Sequence, residues 1–182
     1  DGIYRIFERH DVRFVLYGHI AKGLMHTRPL LNLKEAHDVA MLKPLADEVF
    51  KLVDGLGGTV SGEHGDGRLR SAYLRRKYRD VYPLFEAVKA LLDPQELLNP
   101  EIKKADDPDQ MTRHLRLGAA YAAQAPKHLQ LHWRPPFVAE TEKCHGCSKC
   151  TTVTTATRMC PVYRTCCHQS ACSRSNAGCS RP

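Results

Sequence analysis

The first 143 residues contain no cysteine, and all eight cysteines of the 182-residue chain fall between Cys144 and Cys179. That distribution excludes a framework of disulfide staples across the chain, and the clustering favours a metal or cluster site. Long apolar runs are also missing: no stretch approaches the ~20 residues needed to cross a bilayer as a helix. The opening Asp1-Gly2-Ile3-Tyr4-Arg5 is neither basic nor followed by an apolar run, and without an initiating methionine it reads as mid-domain. The expectation is a fragment of a larger protein with no secretory signal. Basic residues outnumber acidic ones 27 to 20, yet no block of six lysines or arginines occurs and the cations are scattered among acids. Lacking also any aromatic–basic interleaving, the chain is a poor candidate for nucleic acid, and its charge of +7 leaves an anionic surface or small acidic substrates.

What is present lies in two parts. Periodic apolar segments occur before residue 100, and the remainder has few. Residues 12–17 are rich in β-formers and read as a strand ended by Gly18. Residues 24–33 read as a second strand, interrupted by Pro29, which suits a free edge. The glycines of Gly18-His19-Ile20-Ala21-Lys22-Gly23 fit a tight connection between them. Residues 34–56 give the clearest helix, with Leu42, Leu45, Ala46, Val49, Phe50 and Val53 on one stripe. Pro44 either kinks that helix or starts its main body, and Gly57-Gly58 ends it. A second helix is expected over 78–92, stopped by Asp93-Pro94.

Between the helices lies Ser61-Gly62-Glu63-His64-Gly65-Asp66-Gly67. Three glycines in seven residues let the backbone turn tightly and approach a ligand. Glu63 and His64, side by side, suit either metal ligation or proton transfer, beyond the needs of a polar turn. His19 and His26 flank the earlier glycine turn and can converge on one ion. The basic run Arg68, Arg70, Arg75, Arg76, Lys77 and Arg79 reads either as a solvated helix start or as a source of one arginine that grips a substrate carboxylate.

From Lys103 the character changes to a polar linker beginning at Asp106-Asp107-Pro108-Asp109. Cys144, Cys147 and Cys150 then form C-x2-C-x2-C, followed by Cys160-Pro161. Three close thiolates can wrap one corner of an iron–sulfur cubane, with a remote Cys-Pro supplying a further ligand. Zinc sites more often use two separated pairs. The gap before Cys160 is longer than the usual spacing. The Ser-rich tail with Cys166, Cys167, Cys172 and Cys179 lacks the spacing of a second cluster.

The runs YGHIAKGLMH (17–26), SGEHGDGR (61–68) and LLNP (97–100) resemble the C-terminal cap lobe of FAD-linked 2-hydroxy-acid dehydrogenases of the vanillyl-alcohol-oxidase flavoprotein type. That family includes D-lactate, D-2-hydroxyglutarate and glycolate dehydrogenases. CHGCSKC…MCPVYR resembles the iron–sulfur domain fused to the flavin module in long bacterial members. The resemblance implies that His19, His26 and Glu63 ligate a divalent metal (zinc, iron or manganese). It implies that His64 is the base that takes the substrate hydroxyl proton and that Asn99 lies near the flavin. Cys144, Cys147, Cys150 and Cys160 would hold a 4Fe-4S cluster. Lys22 and Leu24 stand where the family commonly carries Asp and Asn inside GDGNLH. The family's substrate preference therefore does not carry over.

The expected fold class is α+β. A ferredoxin-like antiparallel cap lobe with helices on one face spans residues 1–104, a linker 105–140, and a small cysteine-rich iron–sulfur module 141–182. The expected function is FAD-dependent oxidation of a 2-hydroxy acid to a 2-oxo acid. Electrons would pass to the cluster and then to a quinone or electron carrier, in the cytoplasm or at the inner face of a membrane as a peripheral protein. Because the lobe that binds most of the FAD is absent from these residues, the chain alone is expected to be inactive. A non-enzymatic iron–sulfur electron-transfer subunit is the rival reading, and it leaves Glu63 and His64 idle.

Overall fold

The computed structural model describes residues 1–103, 107–115, 117–121, 139, 142 and 143. The chain divides into two compact units, Asp1–Ala120 and Tyr121–Pro182. Of the second, only Tyr121, Ala139, Glu142 and Lys143 are described, so Cys144, Cys147, Cys150 and Cys160 lie outside the described residues.

The first unit is α+β. Its elements are α1 (Gly2–Arg9), β1 (Phe14–His19), a short 3-10 turn (Ile20–Lys22), β2 (Leu24–Pro29), α2 (Ala36–Gly55), α3 (Gly67–Lys77) and α4 (Tyr82–Leu92). The strands pair antiparallel, with Tyr17 opposite His26 and His19 opposite Leu24. Among the described residues the sheet is this two-stranded hairpin, smaller than the ferredoxin-like sheet expected from the sequence.

Several boundaries differ from the sequence reading. The first strand starts at Phe14 rather than Val12, because Asp11 takes a left-handed turn (φ 52°) and the Val12 N–H is used by the Phe7 carbonyl. The second strand stops at Pro29, which has no N–H to continue a ladder. The helix expected over 78–92 begins at Tyr82: Pro83 belongs in a first turn, and the preceding residues form a turn closed by Val81 N–H to the Tyr78 carbonyl, 2.7 Å. Pro44 lies inside α2, which runs unbroken from Ala36 to Gly55. Gly57 follows with φ 73°, the left-handed geometry that ends a helix.

α2 divides the core. Leu45, with Met41, Val49 and Leu52, packs against Ile6 and Phe7 of α1 and against Phe14. Phe7 stacks on Phe14 at 4.3 Å between ring centres. Leu42, Ala46 and Phe50, on the adjoining face, pack against Val60, Tyr73, Leu74, Tyr82 and Met111. One helix thus carries the hairpin on one side and α3 with α4 on the other, which fixes the hairpin relative to the loop that follows α2. No described helix is long and apolar enough to cross a membrane.

Candidate metal and proton-transfer site

The hairpin supplies two of the site's side chains. His19 is the last residue of β1, and His26 lies in β2 opposite Tyr17. Gly23, at φ 64°, allows the chain to reverse within so short a connection. Tyr17 flanks His26, their rings 4.9 Å apart.

The loop Ser61–Gly67 supplies the rest. It comes so close to the hairpin that a Cβ on Gly62 would lie 2.4 Å from Leu24 Cδ1. Its shape is held internally: the Gly65 carbonyl accepts from Ser61 Oγ at 2.9 Å and from Arg70 Nη1 at 3.1 Å. Gly65 takes φ 70° and Gly67 φ 53°.

These two segments bring three imidazoles to one carboxylate. Glu63 Oε1 lies 2.9 Å from His26 Nε2, 3.0 Å from His64 Nε2 and 3.7 Å from His19 Nε2. His26 and His64 rings are 5.2 Å apart, and His19 and His26 meet edge-on at 5.7 Å. Donor atoms of His19, His26 and Glu63 all lie within 4.8 Å of one another. Donors bound at ~2.0–2.2 Å to a common ion sit roughly 3–3.5 Å apart, so modest rotamer adjustment would seat one cation among them. Two imidazoles and one carboxylate suit zinc, iron or manganese, and leave coordination positions open.

The cluster is graded in exposure. The His26 side chain is 14% exposed and Glu63 30%, whereas His19 and His64 are 56% and 69%. His64 is thus the most exposed of the four.

Asn99 lies apart in the exposed turn after α4, at φ 48°, where its carbonyl accepts from Ile102 N–H at 3.2 Å. The basic run is largely paired within the protein. Arg68 binds Glu101 at 2.5 Å, Arg75 binds Glu86 at 3.0 Å and Arg76 binds Asp54 at 3.1 Å. Lys77 reaches Asp54 at 3.2 Å. These arginines are therefore structural ties rather than free grips for a substrate carboxylate. The sequence reading missed the role of Arg70 on the loop. Gly65 lies before the first residue of α3, so nothing in the spacing signals that contact.

Residues 1–102 match the family described as FAD linked oxidases, C-terminal domain. The chain is 35% identical over 95 residues to a D-2-hydroxyglutarate dehydrogenase of Pseudomonas putida strain KT2440, covering 52% of this chain and 9% of that protein. It is 35% identical over 101 residues to glycolate oxidase subunit GlcD of Escherichia coli K12, covering 55% of this chain and 20% of that protein. A D-2-hydroxyglutarate dehydrogenase of Pantoea ananatis is 28% identical over 164 residues, or 87% of this chain and 15% of that protein, a share too large to stop short of the Cys144–Cys150 triplet. The chain thus spans between 9% and 20% of the length of these relatives. No solved structure matches it.

Proposed function

The chain belongs to the FAD-linked oxidases through their C-terminal domain, and from that premise we propose that it is the substrate-facing cap lobe of an enzyme that oxidises a small 2-hydroxy acid to a 2-oxo acid. The observation that carries this reading is the convergence of His19, His26 and His64 on Glu63 from two separate segments. His19, His26 and Glu63 hold a divalent cation. His64 stands beside it and accepts the substrate hydroxyl proton, a role an imidazole fills near neutral pH. A cation held there would lower the pKa of that hydroxyl, and FAD, when bound, would supply the hydride acceptor. The hydroxyl proton would pass to His64 and the Cα hydride to that acceptor, which balances the change from 2-hydroxy to 2-oxo acid.

Asn99 is assigned to the flavin side of the lobe. Cys144, Cys147, Cys150 and Cys160 are assigned to a 4Fe-4S cluster that takes the electrons on toward a quinone or electron carrier. Similarity that continues past the oxidase domain into the cysteine region supports this. The reading keeps the lobe at residues 1–104, the linker at 105–140 and the cluster module at 141–182. The relatives' names point to hydroxyglutarate, glycolate or lactate as the class of substrate. Lys22 and Leu24 leave the choice among them open.

The test is His64→Ala in the full-length protein. Loss of a positioned base costs about 10²–10⁴ in turnover, while the flavin's visible absorbance should be retained. Undiminished turnover would remove the base assignment.

A further inference from the structure

The loop that carries Glu63 and His64 is tied, at its far end, to residues 99–103. Residues 99–103 follow α4 and place three non-glycine residues in left-handed backbone: Asn99 at φ 48°, Glu101 at 68° and Lys103 at 69°. Left-handed backbone at a residue other than glycine persists where surrounding contacts over-determine it.

Those contacts lead back to the loop. Asp66 is only 8% exposed and stands as the N-cap of α3, yet its side chain makes no capping bond. An aspartate there would ordinarily accept from the helix's first N–H groups. Its carboxylate is instead paired with Lys103 Nζ. Two residues on, Arg68 donates to Glu101 Oε2 at 2.5 Å and to the Pro100 carbonyl at 3.4 Å. The segment is pinned from its other sides as well. The Tyr82 hydroxyl donates to the Lys103 carbonyl at 2.9 Å, and the fully buried Gln110 donates through Nε2 to the Glu101 carbonyl at 2.8 Å. Ser71 Oγ, buried in α3, accepts the Lys103 N–H at 3.3 Å.

We infer that residues 99–103 are a strap, and that Lys103 and Glu101 are positioning residues which hold the Glu63–His64 loop through Asp66 and Arg68. The loop's other end is already fixed by α2 and Val60, so tethering Asp66 and Arg68 removes the freedom that its three glycines would otherwise give it. The same strap begins at Asn99. It therefore sets the spacing between the residue assigned to the flavin side and the two residues assigned to the cation and the proton. This last consequence rests on the function proposed above, whereas the tether itself does not.

The experiment compares Lys103→Met, Lys103→Arg and a control, Arg9→Gln, in the full-length protein. Arg9→Gln removes an ion pair to Glu48 that joins α1 to α2. The first readout is backbone hydrogen exchange. Lys103→Met should speed exchange in residues 61–68 with α1 and α2 unchanged, Lys103→Arg should restore protection, and Arg9→Gln should leave the loop protected. The second is zinc affinity against a chromophoric chelator. Lys103→Met should weaken it by about tenfold to a hundredfold, the range for residues that orient ligands. Unchanged loop exchange in Lys103→Met, or loss spread evenly over the whole unit, would overturn the strap. If His26→Ala leaves zinc affinity unaltered, the cation assignment falls, and the exchange result still decides the strap.

Discussion

Gly18 sits where no side chain fits. A Cβ there would lie 2.1 Å from the Leu24 carbonyl oxygen and 3.1 Å from Met25 Cα, both backbone atoms of the facing strand. Gly18→Ala should therefore spread the hairpin next to His19. We expect a loss of about 1–3 kcal/mol, the usual cost of forcing atoms into packed space, read from the urea midpoint. Gly62→Ala meets a side-chain end, Leu24 Cδ1, which can rotate away, and should cost less. At this scale much was legible. His19, His26, Glu63 and His64 stood out because imidazoles and a carboxylate flanked by glycines serve no packing purpose, and the structure gathers all four. The contacts of Arg70 with Gly65 and of Lys103 with Asp66 were not legible. A single basic residue in a charged run gives no sign of which carbonyl or carboxylate it will meet.

Among elements, the turn after α4 is held by Asp93. Its carboxylate accepts from Leu97 N–H at 2.8 Å, from Leu98 N–H at 2.9 Å and from Lys89 Nζ at 2.5 Å. The Lys89 bond, followed by the two backbone N–H groups, holds its carboxyl below the ordinary value of 3.8. A carboxyl depressed in the folded state contributes stability that is complete above its unfolded pKa. That contribution fades as the pH falls below that value toward the folded one. Asp93→Asn should accordingly lower the thermal midpoint at pH 7, and the gap from the parent should shrink by pH 3. An equal gap at both pH values would show that the carboxylate's charge is not what matters. The stripe of α2 and the stop at Asp93-Pro94 were readable from period and breakers. α1 was overlooked although Ile3, Ile6 and Phe7 carry the helical spacing, because an eight-residue segment offers barely two turns of it. The extent of α3 was obscured for another reason: a helix whose faces are mostly arginine looks solvated, while Ser71, Tyr73 and Leu74 carry its packing.

For the whole molecule, the conspicuous feature is apolar surface left open to water. Leu84, Val88, Leu91 and Leu92 of α4 are each more than half exposed, as are Leu97 and Leu98 just beyond it. Contiguous apolar patches of this kind drive association in isolated chains. The purified chain should show concentration-dependent light scattering, and Leu91→Glu with Leu92→Lys should reduce it. A chain that stays monomeric at high concentration without those changes would contradict this.

Glu63 meets His19 and His26 only after the whole of α2 has been laid down between them. A cation seated there would act as a clasp on a long excursion of chain, and it would bind the folded state in preference to the unfolded one. By mass action, such a clasp adds about 2.7 kcal/mol when the free ion stands at a hundred times its dissociation constant. The endurance of this lobe would then follow the ion supply of its surroundings, so that starvation for the metal would silence the chemistry and loosen the scaffold together.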